Sequence, residues 1–197
     1  MMTAVIEYDA GNIRSVIHAL ERLGAGEVEL TSDPGRIMAA DRVILPGVGD
    51  ASVVLESLRK AGLAELVCNL KQPVLGICAG MQILCSHTEE GDVDGLGIFR
   101  TRVKRFRPDD PSLKVPHMGW NKLENMSGPL FEGLPEATYA YFVHSFYAEP
   151  CHDTVALCTH GVDFSAALKR GNFYGTQFHP EKSGPAGAAM LANFMKL

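Results

Sequence analysis

Cys78 lies in a sequence pattern that is typical of a catalytic nucleophile. The apolar run PVLGI (73–77) precedes it, glycines stand two residues to either side, and MQIL (81–84) has helical character. This order of strand, sharp turn and helix is typical of a nucleophile elbow, in which small neighbours let the backbone close beneath a strained residue. A thiol at a helix N-terminus is also favoured as the thiolate. The alternative interpretation is a buried structural cysteine between two turn glycines.

A thiolate nucleophile needs a base within hydrogen-bonding reach and a group that orients the base. Among the seven histidines, His179 stands out because GTQFHPEKS (175–183) places it at the end of a predicted strand, which Pro180 terminates. Glu181 can fold back behind the imidazole, fix its tautomer and stabilise the imidazolium. We therefore predict that Cys78, His179 and Glu181 form a triad. The alternative is a strand-end histidine beside an unrelated surface carboxylate.

Attack on a carbonyl group also requires donors for the negative charge that develops on its oxygen. The N–H of Ala79, directly after the nucleophile, is one candidate donor. The loop PGVG (46–49) follows another predicted strand, and its glycines permit the close approach that a second backbone donor requires. A phosphate-binding loop is a competing interpretation, although the chain has neither GxGxxG nor GxxxxGK. An ordinary strand-to-helix turn also remains open.

The order of the predicted elements indicates an α/β fold with an open, mostly parallel sheet flanked by helices. Strands alternate with helices up to residue 85, which favours parallel strands with right-handed crossovers. Asp50 is the expected N-cap of the helix that follows the PGVG loop. The second half contains six extended segments with little helical periodicity, so an additional antiparallel β portion is expected there. No linker divides the chain, and we predict one domain over residues 1–197.

Composition excludes several classes of function. The formal charge of -5 argues against a nucleic-acid-binding surface, and no apolar stretch approaches the roughly 20 residues that span a bilayer. The five cysteines are odd in number and include no CxxC pair, which argues against a disulfide framework or a zinc site. Without a signal-peptide pattern, reduced cysteines and a cytoplasmic location are expected.

Two further polar and aromatic segments are PHMGWN (116–121) and YFVHSFY (141–147). We predict that both are strands and that His117 and His144 are hydrogen-bonded structural residues. With GICAGMQ (76–82) and GTQFHPEKS, the chain resembles the triad-type, class I glutamine amidotransferases. GNIRSV (11–16), LPGVG (45–49) and the two polar segments are similar to the glutaminase subunits of imidazole glycerol phosphate synthases, which act in histidine biosynthesis.

The resemblance implies a role for each site residue and implies no cofactor and no metal. Cys78 attacks the side-chain amide of L-glutamine, His179 transfers protons, and Glu181 orients His179. The resemblance further implies an oxyanion hole and a subsite for the amino-acid end of glutamine. The oxyanion residues are Val48, Gly49 and Ala79, and the subsite residues are Gln82, Glu90, His144, Ser145 and Phe146.

The resemblance also implies a heterodimer with a (β/α)8-barrel cyclase subunit, which receives the ammonia. Asn12, Trp120, Tyr141 and Lys182 are then expected on the face that meets the barrel. Asp9 and Ala10 depart from the family's commoner residues near that face, and Ala79 replaces a residue that is usually leucine. Four alternatives remain open: an amidotransferase of another pathway, a γ-glutamyl hydrolase acting alone, a peptidase, and an inactive regulatory subunit that only binds a partner.

Overall fold

The computed structural model describes residues 1–8 and 13–197. In chain order the strands are β1 (Met2–Ile6), β2 (Glu27–Thr31), β3 (Arg42–Leu45), β4 (Val74–Ile77), β5 (Cys85–Thr88), β6 (Val93–Asp94), β7 (Phe99–Arg105), β8 (His117–Lys122), β9 (Tyr139–His144), β10 (Phe146–Ala148), β11 (Thr154–His160), β12 (Val162–Arg170) and β13 (Phe173–Thr176). The α-helices are α1 (Ile13–Arg22), α2 (Pro34–Ala39), α3 (Ala51–Lys60), α4 (Ala64–Asn69), α5 (Ala79–Leu84) and α6 (Gly184–Phe194). Pro129–Phe131 and Pro180–Lys182 form single 3₁₀ turns.

The main sheet has seven strands in the order β11-β12-β13-β4-β3-β1-β2. The five strands from β13 to β2 are mutually parallel, whereas β12 and β11 extend the sheet in the antiparallel sense. The predicted α/β class, with antiparallel strands in the second half, is therefore confirmed. Because β4 lies between β3 and β13, the residues that follow these three strands meet at one edge of the sheet.

Apolar side chains cover both faces of the central strands, which is the usual burial of a parallel sheet. Every residue of β3, β4 and β13 is buried. Along β3, Val43 and Leu45 belong to the core on one face, while Ile44 belongs to the core on the other. The alternation is the period of two that an extended backbone imposes.

The helix ends follow local capping rules in two places. Oδ1 of Asp50 accepts from the N–H of Ser52 at 2.8 Å, so the predicted N-cap of α3 is confirmed. Helix α2 has the same kind of cap at Asp33, but it was not predicted. Its six residues bury only Ile37, so it leaves no periodic apolar stripe in the sequence.

Among the described residues, no helix is long and apolar enough to cross a membrane.

Two smaller sheets complete the β-rich half. Strands β10, β7, β5 and β6 form one, and β7 alternates between buried and exposed residues from Phe99 to Val103. Strands β8 and β9 form an antiparallel ribbon in which His117 pairs with His144 and Trp120 pairs with Tyr141. One face of the ribbon is buried around Phe142, and the other, which we call the outer face, carries Met118, Trp120 and Tyr139 in exposed positions.

Candidate active site

Strand β4 delivers Cys78 to the sheet edge in a strained turn. Its φ of 53° and ψ of -112° lie in a region that non-glycine residues rarely adopt. The N–H of Cys78 donates to the carbonyl oxygen of Thr176 at 2.7 Å, which ties the turn to β13. A Cβ at Gly76 would lie 2.7 Å from the carbonyl oxygen of Gly80, and one at Gly80 would overlap the carbonyl oxygen of Leu45. The two flanking glycines are therefore required by close backbone packing beneath the turn.

The structure brings Cys78, His179 and Glu181 together, with the imidazole of His179 between the other two side chains in their interactions. Nδ1 of His179 lies 2.8 Å from Oε1 of Glu181, and the imidazole lies near enough to Cys78 for that side chain to raise the pKa of the ring. The side chains of His179 and Glu181 are only 2% and 3% exposed. Since Nδ1 faces the carboxylate, Nε2 is the nitrogen left for the thiol. Cys78 and His179 are separated by about half the sequence, and the fold brings both side chains to the wall of one cavity.

The pKa of His179 reflects two opposing effects. Burial lowers it, but the interactions with Cys78 and Glu181 outweigh burial and raise the pKa to about 9. The imidazole is therefore protonated at neutral pH in this arrangement. A protonated ring beside a sulfur nucleophile can stabilise the thiolate and can donate a proton to a leaving group.

The PGVG loop packs against the start of helix α5, and Val48 and Gly49 line the same cavity as Cys78. The N–H of Ala79 is the first of helix α5 and has no intrahelical acceptor. Within the described residues, no hydrogen bond engages the amides of Val48 and Gly49. Gly49 has a φ of +85°, and a Cβ there would have no neighbour within 4 Å. Val48 and Gly49 thus lie in the wall of the cavity that holds Cys78, and Ala79 directly follows the nucleophile, so their role as oxyanion donors stays a prediction.

Cys78 opens into a cavity of about 560 Å³. Most of the predicted site residues line it, together with three residues that were not predicted. The lining residues are Val48, Gly49, Asp50, Cys78, Gln82, Glu90, Pro116, Val143, His144, Ser145, Phe146, His179 and Lys182. The volume suits a small polar metabolite. Among the described residues, no group of three or more His, Cys, Asp or Glu side chains is arranged to hold a metal ion.

A pair of buried glutamines connects the cavity wall to the nucleophile. Nε2 of Gln82 donates to the carbonyl oxygen of Phe146 and to Oε1 of Gln177, both at 3.0 Å. Nε2 of Gln177 in turn lies 3.8 Å from Sγ of Cys78. Gln177 was not predicted as a site residue, although it lies two residues before His179 at the end of the same strand.

Tyr8 is a second residue near the nucleophile that the sequence analysis missed. Its hydroxyl is buried and has no hydrogen-bond partner among the described residues. Burial, and to a smaller extent the negative charge of the Cys78 thiolate, raises the pKa of the phenol. Tyr8 follows β1, and the sequence contains no local motif that would have indicated its proximity to Cys78.

Glu90 reaches the cavity from the loop after β5. Its Oε2 accepts from the N–H of Ala51 at 2.7 Å, at the first residue of helix α3. Burial is the main effect that raises the pKa of this carboxyl group, and the bond to Ala51 partly offsets it. A carboxylate at a helix N-terminus is held in place by the free N–H groups there, so Glu90 has a fixed position in the cavity wall.

His117 and His144 lie on the buried face of the ribbon, where His144 lines the cavity and His117 packs behind it. Nδ1 of His117 lies 2.9 Å from Nε2 of His144, and Nδ1 of His144 lies 2.7 Å from the carbonyl oxygen of Phe146. Burial is the main effect that lowers both pKa values, to about 4 for His117 and about 3 for His144. Both rings are therefore neutral at pH 7. The hydrogen bonds predicted for them are present, and a purely structural role stays a prediction.

The ribbon is tied to the triad by a closed ring of hydrogen bonds. The N–H of His179 donates to the carbonyl oxygen of Tyr141 at 2.9 Å, and the N–H of Tyr141 donates to Oγ of Ser183 at 2.9 Å. The hydroxyl of Ser183 then donates to the carbonyl oxygen of His179 at 2.6 Å. A displacement of β9 is therefore coupled directly to the main chain of the triad histidine.

The residues predicted to meet a partner lie on and beside the outer face. Trp120 is 56% exposed and its ring makes an edge contact with Tyr141, with 6.2 Å between the ring centroids. Met118, 64% exposed, extends this apolar surface. Lys182 lines the cavity that holds Cys78. Asn12, and the departures at Asp9 and Ala10, lie outside the described residues.

Comparison with known proteins places this chain in a family. The sequence model described as "Glutamine amidotransferase class-I" matches residues 4–197. The chain belongs to the class I glutamine amidotransferases. It is 53% identical, over all 197 residues and the full length of both chains, to the imidazole glycerol phosphate synthase subunit HisH of Bacteroides thetaiotaomicron. It is 46% identical to the protein of the same name from Synechococcus sp., covering 98% of this chain and 92% of the relative.

Solved structures share the amidotransferase fold at low sequence identity. A crystal structure of a glutamine amidotransferase superposes with a TM-score of 0.75 at 19% identity, covering 98% of this chain and 97% of the other. PurLQS from Thermotoga maritima superposes with a TM-score of 0.71 at 20% identity, covering 99% and 97%. These likenesses concern the fold, and the glutaminase chemistry of this amidotransferase has to be argued from its own residues.

Proposed function

We propose that residues 1–197 form one domain that serves as the glutaminase subunit of an imidazole glycerol phosphate synthase. The domain hydrolyses L-glutamine and supplies ammonia to a partner in histidine biosynthesis. The observation that carries the proposal is the buried line from Cys78 through His179 to Glu181 at the cavity floor. Full-length identity to subunits named for that synthase supports the choice of pathway.

In the first half of the reaction, the thiolate of Cys78 attacks the side-chain amide carbon of glutamine. A carbon–sulfur bond forms, and the electron pair of the carbonyl group moves to its oxygen. The imidazolium of His179 then donates its proton to the amide nitrogen, which leaves as ammonia, and a thioester remains. The raised pKa of His179 supports this role, since the acid is already charged at neutral pH.

In the second half, neutral His179 takes a proton from water as the water oxygen attacks the thioester. The carbon–sulfur bond breaks, the thiolate of Cys78 is restored beside a protonated His179, and glutamate leaves. Glu181 acts throughout as the orienting group, because its contact with Nδ1 holds Nε2 toward the sulfur. The sum is glutamine plus water giving glutamate plus ammonia, with no cofactor.

The oxyanion of each tetrahedral intermediate is assigned to the amides of Val48, Gly49 and Ala79. Loss of one such donor typically costs on the order of 3 kcal/mol of transition-state stabilisation. The amino-acid end of glutamine is assigned to Gln82, to the Glu90 carboxylate, and to the segment His144, Ser145 and Phe146. An ammonium group beside Glu90 would neutralise a carboxylate that burial leaves poorly solvated.

The partner assigned to this subunit is a cyclase with a (β/α)8 barrel, in a heterodimer. The outer face of the ribbon suits a protein interface, because exposed aromatic residues and methionine are enriched at interface cores. Trp120, Tyr141 and Lys182 are the described contact residues, and Asn12 is assigned by resemblance alone. Ammonia must pass to the barrel without meeting bulk water, where protonation would remove its nucleophilicity.

The backbone of the PGVG loop is proposed as the switch that couples the two subunits. Gly49 has a positive φ and open space around its α-carbon, which permits a peptide at this position to rotate. Rotation would complete the oxyanion hole only when the cyclase holds its own substrate. Glutamine turnover is measured with the subunit alone and with the loaded cyclase, and equal rates would reject the switch.

The decisive test of the function is reconstitution with a cyclase subunit. We expect that Cys78→Ala abolishes glutamine-dependent synthesis by the complex and leaves ammonia-dependent synthesis, which occurs in the partner, unchanged. A glutamine analogue should alkylate Cys78 in the wild-type complex and should block the same reaction. Glutamine-dependent synthesis that survives Cys78→Ala would refute the assignment of the nucleophile. A wild-type complex that never uses glutamine would refute the function.

A further inference from the structure

A chain of hydrogen bonds runs from the end of the ribbon to the wall of the cavity. Nδ2 of Asn121 lies 3.2 Å from Nε2 of His117, and Nδ1 of His117 lies 2.9 Å from Nε2 of His144. Nδ1 of His144 lies 2.7 Å from the carbonyl oxygen of Phe146. The proposed mechanism assigns no role to His117 or Asn121, and His117 is not among the described residues that line the cavity.

The donor and acceptor of each of these three hydrogen bonds follow from the carbonyl oxygen of Phe146, which is the last acceptor in the series. A carbonyl oxygen can only accept, so Nδ1 of His144 carries the hydrogen, and Nε2 of the neutral ring is an acceptor. Nδ1 of His117 must then be the donor, which leaves its Nε2 to accept from the amide nitrogen of Asn121. The amide of Asn121 is oriented for this bond, because its oxygen accepts from the N–H of Lys122 at 2.8 Å and its nitrogen therefore faces His117. Only one pair of tautomers satisfies all three bonds.

The two rings are held where an unsatisfied nitrogen is costly. His117 and His144 are 5% and 6% exposed. His117 is stacked on His160 and Phe142, with centroid separations of 4.3 and 5.0 Å, and His144 contacts the ring of Phe106 at 5.2 Å. In such surroundings a lone pair without a donor has no access to water, so His144 depends on His117 for its second bond.

At its far end the chain meets the glutamine pair that leads to the nucleophile. The carbonyl oxygen of Phe146 accepts from both His144 and Gln82, at 2.7 and 3.0 Å. Gln82 also donates to Gln177, which contacts the sulfur of Cys78. One carbonyl group therefore joins the backbone segment 144–146, the side chain of Gln82 and the buried histidines.

We infer that His117 is a positioning residue for glutamine binding, which it supports by holding His144 in one tautomer and so fixing the main chain at 144–146. The inference rests on the proposed function, because that segment and Gln82 are assigned to the amino-acid end of glutamine there. His117 takes no part in proton transfer, since both of its ring nitrogens are engaged away from the substrate. Its loss should therefore weaken the binding of glutamine more than it slows the chemical steps.

Three substitutions at one position separate this role from packing. His117→Phe keeps an aromatic ring for the stack but removes the donor to His144. In His117→Asn, the amide nitrogen occupies the place of Nδ1 and can restore that donor, whereas His117→Gln places its amide near Nε2 and cannot. The matched control is His160→Phe. It changes a ring that stacks on His117 but makes no hydrogen bond to Asn121, His117, His144 or Phe146.

Each variant is assembled with the cyclase, and KM and kcat for glutamine are measured with the partner loaded. We expect KM to rise on the order of tenfold or more in His117→Phe and His117→Gln, with kcat changed much less, and to return toward wild type in His117→Asn. His160→Phe should match wild type. Equal KM in His117→Phe and wild type, or equal losses in the Asn and Gln variants, would overturn the inference. A wild-type complex without glutaminase activity would instead overturn the proposed function.

A second measurement tests the hydrogen bonds from Asn121 to Phe146 without any substitution. The ¹⁵N chemical shifts of the imidazole nitrogens in the unaltered protein should show that His117 and His144 are both neutral and both protonated on Nδ1 at pH 6 to 7. A charged ring, or an Nε2–H tautomer at either position, would contradict the assignment of His117 even if the variants failed to fold.

Discussion

The buried, neutral histidine pair predicts a loss of stability in mild acid. His117 and His144 have folded-state pKa values far below their ordinary value of 6.5, mainly because burial disfavours the charged rings. The titratable groups that face them are His160 and His179. Both rings take up a proton when the chain unfolds at pH 5, so the unfolded state binds more protons and becomes relatively more stable as the pH falls.

The size of this effect follows from linkage. A group that is neutral when folded and charged when unfolded changes the unfolding free energy by about 1.4 kcal/mol per pH unit below its unfolded pKa. For two such histidines, lowering the pH from 6.5 to 5.0 should cost roughly 3 kcal/mol. His179 behaves in the opposite sense, because its pKa is raised to about 9. The stability that it contributes is fully present below pH 6.5 and is lost as the pH rises toward 9.

The assay is urea unfolding of the wild-type protein at half-unit steps from pH 4.5 to 9.5. We expect the free energy of unfolding to be greatest near pH 6.5, to fall steeply on the acid side, and to fall less steeply on the alkaline side. His152→Gln, at an exposed histidine, is the matched control and should leave the acid slope unchanged. A slope below about 1.4 kcal/mol per pH unit between pH 5 and 6 would show that at most one of the two rings is neutral in the folded state, and would refute the tautomer assignment.

Three substitutions test the surroundings of the triad. Gly80→Ala introduces a Cβ that overlaps the carbonyl oxygen of Leu45, so we expect roughly 1–3 kcal/mol of destabilisation in denaturant unfolding and loss of glutamine turnover. Glu181→Gln removes the charge behind His179, so an NMR titration should show the histidine pKa falling from about 9, and kcat should fall by roughly 10²–10⁴-fold. Ser183→Ala breaks two bonds of the ring between ribbon and triad and should cost about 1–3 kcal/mol of stability, whereas Ser183→Thr retains the hydroxyl.

Features that depend on short-range backbone geometry were predictable from the sequence. The turn at Cys78 needs small residues at fixed offsets, and the cap of helix α3 needs an acceptor at Asp50, so each leaves a local pattern. The parallel order of the first strands follows from their alternation with helices. The meeting of Cys78 with His179 was predictable because both lie just after predicted strands and the chemistry requires them together.

Features that depend on distant, non-periodic contacts were not predictable. Gln177 reaches the sulfur only because β13 pairs with β4, a register that no sequence pattern specifies. Tyr8 approaches the same site from the end of β1. The series of hydrogen bonds that leads from Asn121 through the two histidines to Phe146 depends on the register of β8 with β9 and on ring orientations within an aromatic cluster. In each case a side chain gains its role from tertiary packing rather than from its neighbours in sequence.

Two elements thus support the site: the main sheet, through β4 and β13, and the ribbon of β8 and β9. From the sheet, β4 leads directly into Cys78, and the N–H of Cys78 donates to Thr176 at the end of the neighbouring strand β13. From the ribbon, β9 holds His179 through the ring with Tyr141 and Ser183, and the same strand presents Tyr141 to the outer face. Because the ribbon carries the proposed partner surface and is hydrogen-bonded to the main chain of His179, we expect docking to act on the histidine more directly than on Cys78. A partner that acts on the outer face would then tune proton transfer without disturbing the elbow.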